Sequence, residues 1–418
     1  MPTNIPGKVL KAAKTLIGKQ PAQKKAEKYH FDLYKRYPLT LVKGKGCKVW
    51  DDEHNEYIDA LAGIAVNSLG HSHPRIVKAI QKQAGKLIHI SNFYYNEPQS
   101  NLAEKLVKVS GLDRTFFCNS GAEAVEGAIK LARKYSFNKG KTGTILSMEN
   151  SFHGRTLGTI AMGKDKYQSG FAPMPSGFER VPFNDVNALE DRINEHTVGI
   201  ILEPVQGEGG IRPVSKEYLQ KVRELCDKHD IPMILDEVQC GIARTGKMFA
   251  YQHYGVVPDI VASAKARGSG FPIGAVIARG QFAKAFDYGN HGTTYGGNPL
   301  ACAAALETLK VIEDEDICEM ARVRGEYMMT RLRDLSTNWP AIRDVRGLGL
   351  MIGVELSFPG AEVVVEMMKR GVLSNCASDV VIRLVPPLIM SKEEIDKVIE
   401  VLVESIKKVE MERVKSEK

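Results

Sequence analysis

No apolar run in this chain of 418 residues approaches the ~20 residues that a membrane-spanning helix requires. Cysteine is sparse and unpatterned. Cys47, Cys118, Cys226, Cys240, Cys302, Cys318 and Cys376 are odd in number and contain no Cys-x-x-Cys pair. That argues against a disulfide framework or a thiolate zinc site and fits reduced thiols in a cytoplasm. A basic face for nucleic acid is also missing. The net charge is +7, but residues 1–30 carry seven lysines against the single acid Glu27, which leaves the remainder of the chain near neutrality. The tail lacks the arginines and serines of a transit peptide and the apolar centre of a signal peptide. Val9, Leu10, Ala13, Leu16 and Ile17 recur at helical spacing, so a short amphipathic helix serving as a packing or solubilising arm is expected there. No internal repeat is visible.

What is present is a long, ordinary globular composition, 43% hydrophobic and 26% charged, too long for one core. The 38 glycines fall in clusters, which suggests tight turns and close backbone approach to a ligand. Apolar strand-like runs at Thr115 to Cys118, Thr144 to Ser147, Val198 to Leu202, Met233 to Asp236 and Ile260 to Ala264 alternate with helical patterns such as Ala122 to Ser136 and Lys216 to His229. Alternation of this kind predicts an α/β fold with a mostly parallel sheet. After Asn298 the pattern changes. Helices are expected over Pro299 to Glu313 and Ile317 to Leu335, short strands near Gly349 to Leu356 and Val380 to Leu384, and a long final helix after Ser391, a smaller α+β lobe. Ser391 and Glu394 have the spacing of a capping box.

The chemistry centres on two residues. Asp236 closes the apolar run from Ile231, and Lys265 follows a second such run 29 residues later, with glycines after it. Residues at the carboxyl ends of buried strands reach the rim where open α/β sheets bind ligands. A lysine amine and a carboxylate at one rim suit pyridoxal phosphate, which needs the amine for its aldehyde and the carboxylate for its ring nitrogen. Phe117-Cys-Asn-Ser-Gly-Ala-Glu123 runs from a strand into a helix whose first N–H groups favour phosphate. Taken singly, each has a plainer explanation as a surface lysine, a turn acid or an N-cap.

The surrounding residues are more specific. Asp236-Glu-Val-Gln239, Ala243-Arg-Thr-Gly-Lys-Met-Phe-Ala250 and the lysine segment through Gly274 resemble the class III, fold-type I aminotransferases, from about Tyr37 to about Ser391. The resemblance implies a pyridoxal-phosphate enzyme with a large cofactor-binding domain at 58–308, a smaller C-terminal domain at 309–418, and an N-terminal arm and segment at 1–57. It assigns Lys265 as covalent anchor and base and Asp236 as partner of the ring nitrogen. Ser120, Gly121 and Ala122 fall to the phosphate, Phe152 and His153 to the ring, and Gln239 to the ring phenol oxygen. Thr294 is expected at the phosphate held by a neighbouring subunit, making a homodimer with shared sites. For substrates, Arg155 is expected to bind a distal carboxylate, while Glu208 masks Arg383 reversibly so that one pocket admits both an ω-amine donor and glutamate.

Within the family, Gly63-Ile-Ala-Val-Asn67, Leu69-Gly-His71, Ser91-Asn-Phe-Tyr-Tyr95 and Val181-Pro-Phe-Asn-Asp185 most resemble the acetylornithine branch, which passes an ω-amino group to 2-oxoglutarate in arginine or lysine biosynthesis. A 4-aminobutyrate or other ω-amino acid enzyme is the alternative, and Val125, where the family commonly has asparagine, bears on that choice. Cys240, Ala243 and Arg267 depart from the commonest acetylornithine pattern. Arg267 is expected either as a surface charge or as a modifier of carboxylate preference. His71 and His73 could bind a metal in a hydrolase, but no second ligand cluster has matching spacing, so no metal is expected. A non-catalytic binding protein on this fold would not need Lys265.

Overall fold

The computed structural model describes residues 21–416, so the amphipathic helix expected around Val9 to Ile17 lies outside the described residues. Seven strands form the central sheet: β1 (Arg114–Cys118), β2 (Thr144–Met148), β3 (Phe178–Val181), β4 (Thr197–Leu202), β5 (Met233–Asp236), β6 (Ile260–Ser263) and β7 (Gly274–Ala278). Their spatial order is β1-β7-β6-β5-β4-β2-β3. Every neighbouring pair is parallel except the two made by β7, which runs opposite to β6 and β1.

The strands read as continuous apolar runs because both faces are covered. Alternate residues divide between the layers. Ile200, Leu202, Met233, Leu235 and Val261 pack in one core with residues of the helices Lys216–His229 and Pro299–Asp314. Ile201, Ile234, Ile260 and Ala262 pack on the other face with Ala124, Ala128 and Leu131 of the helix Gly121–Asn138. Val125 belongs to this second core, so its side chain is a packing group under the sheet.

The expected α+β lobe follows. Ile342–Leu348, Met351–Leu356, Val381–Leu384 and Asn375–Ala377 form an antiparallel sheet, backed by the helices Ile317–Ser336 and Lys392–Ser416. The last helix opens on the anticipated capping box: Glu394 N–H donates to Ser391 Oγ at 3.2 Å, and Ser391 N–H donates back to Glu394 at 2.9 Å. Helix Pro299–Asp314 runs through position 308, so the chain leaves the central sheet along a helix. A third, small sheet joins the N-terminal strands Leu41–Lys45, Lys48–Asp51 and Glu56–Asp59 to Val372–Leu373.

One segment obeys no sequence pattern. Ala62, Gly63, Ile64 and Ala65 all have positive φ, at 50°, 64°, 67° and 59°, so the chain makes one left-handed turn. Each non-glycine residue so placed costs about 1–2 kcal/mol. Asp59 holds the turn at its entrance. Its Oδ1 accepts from Leu61 N–H at 2.9 Å and Ala62 N–H at 2.8 Å, while His71 Nε2 lies 2.7 Å from Oδ2. That contact gives His71 a structural partner. His73 stands 4.0 Å from Glu315 instead, and among the described residues no group of three His, Cys, Asp or Glu side chains is placed to hold a metal.

Candidate active site

The carboxyl ends of the parallel strands converge on one rim, as expected at the ligand-binding edge of an α/β sheet. Asp236 ends β5 in the middle of the sheet. On one side β4 leads into Glu203, and on the other β6 leads into Lys265. Lys265 opens a short 3-10 turn, Lys265–Gly268, with φ at +45°. Burial depresses its pKa and nearby Arg383 adds to that, against the opposing pull of Glu208, Asp236 and Glu203. A lysine so placed keeps more of its amine unprotonated, and so available to attack an aldehyde or accept a proton, than a surface lysine does.

Asp236 is buried, and its two oxygens are separately engaged. Oδ1 accepts from Val238 N–H at 3.0 Å, and Oδ2 lies 2.8 Å from His153 Nδ1. Burial alone would lower the His153 pKa, but the hydrogen bond and charge of Asp236 outweigh it and the pKa is raised. The His153 Nε2 atom is buried without a partner. Glu203, to which sequence reasoning gave no role, accepts from Phe152 N–H and Gly207 N–H, both at 3.0 Å. Burial pushes its pKa up to about 7, with Asp236 adding and His153 opposing. Its signal in the sequence was the one that marked Asp236, an acid directly after an apolar run.

Arg383 reaches the same rim from the smaller lobe. Its Nη1 donates to Glu208 Oε1 at 2.6 Å and to Gln239 Oε1 at 3.3 Å, and its Nε donates to Asn375 Oδ1 at 3.0 Å. Arg383 and Asn375 are directly opposed in the antiparallel register, which explains the contact and why spacing along the chain could not reveal it. Burial alone would raise the Glu208 pKa, but Arg383 and Lys265 hold it below the usual carboxylate range. Gly207 is needed beside this pair: a Cβ there would lie 2.4 Å from Gln239 Nε2. Lys164 Nζ donates to the Glu208 carbonyl at 3.3 Å.

Phe152 lies edge-on to Tyr167, with ring centroids 5.8 Å apart, and Arg155 sits 4.1 Å from the Tyr167 ring centre. No pattern in the sequence marks Tyr167 as part of this site. Its face holds the exposed Arg155 guanidinium by a cation–π contact. Ser120 caps the helix Gly121–Asn138 in a full capping box with Glu123. Gly121 and Ala122, in the first turn, have no intrahelical acceptors for their N–H groups, a fit for a phosphate. Thr294 lines a cavity of about 400 Å³ with Asn119, Glu123 and Tyr295. Arg267 is not a surface charge: its side chain is fully buried, with Cys118 and Cys302 as its electrostatic neighbours. Lysine, acid and helix start thus offer the groups that pyridoxal phosphate requires.

A family model described as aminotransferase class-III matches residues 32–406. The acetylornithine aminotransferase of Methanocaldococcus jannaschii is 56% identical over 379 residues, covering 90% of this chain and 95% of that relative. Among solved structures, an ornithine aminotransferase from Toxoplasma gondii, with pyridoxal phosphate at partial occupancy in its active site, superposes with a TM-score of 0.91. It shares 34% identity and covers 96% of this chain and 97% of its own. An acetylornithine aminotransferase from Elizabethkingia anophelis gives 0.83, also at 34% identity, over 92% of this chain and 98% of its own. The chain belongs to the class III aminotransferases.

Proposed function

We propose that this aminotransferase moves the ω-amino group of N-acetylornithine, or a similar acylated diamino acid, to 2-oxoglutarate, giving the semialdehyde and glutamate. The observation that carries the donor is the 56% identity to an acetylornithine aminotransferase over 90% of the chain. Gly63 and Ile64 support it, since neither is the tyrosine that ornithine aminotransferases use near this position for a free α-amino group. Pyridoxal phosphate, when bound, supplies an aldehyde to take up the amino group and a protonated ring to accept the electron pair left by a departing proton.

The chain's own groups do the rest. Lys265 would anchor the cofactor and, once displaced by substrate, would take the proton from the amine-bearing carbon and deliver it to the carbon that had been the cofactor's aldehyde. Asp236 keeps the ring nitrogen protonated, and His153 fixes the orientation of that carboxylate. Gly121, Ala122 and Ser120 hold the phosphate at the helix start, Phe152 covers the ring, and Gln239 meets its phenol oxygen. Arg155 takes the distal carboxylate by its planar fork. Glu208 covers Arg383 while the ω-amine donor is bound and releases it to the α-carboxylate of glutamate.

A homodimer with shared sites is part of the proposal, with Thr294 reaching the partner's phosphate. Phe93, Tyr94, Tyr95 and Tyr295 stand exposed around this loop, and Asn92 ties the two segments together by donating to Gly296 O at 3.1 Å. Exposed aromatic clusters of this kind mark protein interfaces. The proposal also divides the chain into an N-terminal arm and segment at 1–57, a large cofactor-binding domain at 58–308 and a C-terminal domain at 309–418. An amino-donor screen with 2-oxoglutarate tests the substrate. N-acetylornithine should exceed ornithine and 4-aminobutyrate in kcat/KM, and a preference for 4-aminobutyrate would move the enzyme to the other branch.

A further inference from the structure

We propose that Arg267 is the buried counter-charge of the cofactor phosphate, acting from behind the helix start across a layer of thiols. The proposal rests on the reading that Ser120, Gly121 and Ala122 hold that phosphate. Arg267 is 0% exposed, and its Nε, Nη1 and Nη2 are all buried without a hydrogen-bond partner. Buried charges in folded proteins are normally paired, and an arginine does not shed its proton to escape the penalty. Its electrostatic neighbours are two neutral thiols, Cys118 and Cys302. Burial holds both thiols well above the usual cysteine range, each at about 12, so neither supplies a negative charge near neutral pH.

The missing anion has an address. Cys118 ends β1 two residues before Ser120, and its Sγ lies 3.5 Å from the Ser120 carbonyl. β7 packs closely against this turn. Gly274 is opposite Cys118 in the register, and a Cβ there would come within 2.4 Å of Ser120 O and 2.8 Å of Cys118 Sγ. Cys118 thus links the two: it is an electrostatic neighbour of Arg267 and it touches the turn whose N–H groups are free. In a dry interior a full charge acts across such a layer far more strongly than it would through water. Without cofactor the guanidinium is uncompensated. With cofactor it faces a phosphate dianion. Arg267 is thus a positioning charge that couples cofactor binding to the stability of the fold.

The test uses the full-length protein stripped of cofactor, in three forms: wild type, Arg267→Leu and Arg267→Lys. The measurements are Tm and the Kd values of pyridoxal phosphate, pyridoxal and inorganic phosphate. Arg267→Leu should raise the Tm of the stripped protein and weaken pyridoxal phosphate at least tenfold. It should leave pyridoxal, which has no phosphate, within twofold, and remove most of the protection given by inorganic phosphate. Arg267→Lys, which keeps the charge, should retain most of the wild-type affinity. Equal loss for pyridoxal and pyridoxal phosphate, or no loss for either, overturns the proposal. Ser120→Ala separates the two readings. A loss of phosphate discrimination there, but not in Arg267→Leu, overturns the role of Arg267 and leaves the helix-start site standing. Undiminished discrimination in both variants overturns the site and the proposal together.

Discussion

Replacing Arg383 by alanine breaks three contacts at once, to Glu208 at 2.6 Å, Asn375 at 3.0 Å and Gln239 at 3.3 Å. The pair with Glu208 is buried on both sides, so truncation strands a carboxylate and should cost roughly 3–5 kcal/mol of stability. The catalytic effect should be lopsided. Glutamate needs Arg383 for its α-carboxylate, and losing a buried charge-assisted pair costs about 2–5 kcal/mol. At about 1.4 kcal/mol per tenfold, that is roughly thirty-fold to several-thousand-fold on the glutamate half-reaction. N-acetylornithine places its carboxylate on Arg155 and finds Arg383 already covered, so its half-reaction should fall less than about tenfold, a residue of the general loosening. Single-turnover absorbance changes of the bound cofactor, followed for each substrate separately, read the two halves independently. Equal losses would refute the covered-arginine scheme. Arg155→Ala is the matching control and should slow both halves.

Three further outcomes are expected. Lys265→Ala should abolish turnover without unfolding the protein, and borohydride reduction of the wild-type holoenzyme followed by peptide mapping should label Lys265; a label on another lysine removes it from the mechanism. Asp236→Asn should retain cofactor yet slow proton transfer by several orders of magnitude, because the ring loses its electron sink; a near wild-type rate would contradict that role. The last concerns pH. The Glu203 pKa is about 7 when folded against an ordinary 4.5, so the folded protein keeps a proton that the unfolded chain releases. Its contribution is therefore fully present below pH 4.5, is lost as pH rises through 7, and amounts to about 3 kcal/mol. The Tm of cofactor-free protein should fall over this window, and Glu203→Gln should flatten that part of the profile; parallel profiles would show that Glu203 does not titrate there.

The central sheet was legible because its strands are buried on both faces and therefore appear as uninterrupted apolar runs. Lys216–His229 and Met233–Asp236 were placed to the residue. Lys265 and Asp236 could be found because a charged residue that ends such a run is conspicuous. Glu203 carries the same signal, but no separate chemical task in the sequence points to it. Other features were not written locally. The Arg383–Asn375 contact is a product of antiparallel register, and the burial of Arg267 depends on how the turn after β6 packs on the helix Pro299–Asp314. The partnership of His71 with Asp59 depends on a backbone path that side-chain periodicity does not encode. Its Gly-His-Ser-His setting admits a metal pair as an alternative, set aside for want of further ligands, because sequence spacing says nothing of where each ring points.

The left-handed turn at Ala62–Ala65 inverts the ordinary table of helix substitutions. Alanine, the best residue for a right-handed helix, is there among the costly ones, and glycine or asparagine would relax the backbone. A library selected for thermal stability alone should therefore be pulled in two directions at position 65. Relief of backbone strain favours loss of the methyl group, while packing against Val205, Cys240 and Val385 favours its retention. Whichever residue emerges reports the balance between main-chain geometry and side-chain fit at this one place, a comparison that right-handed helices, where alanine satisfies both demands, never offer.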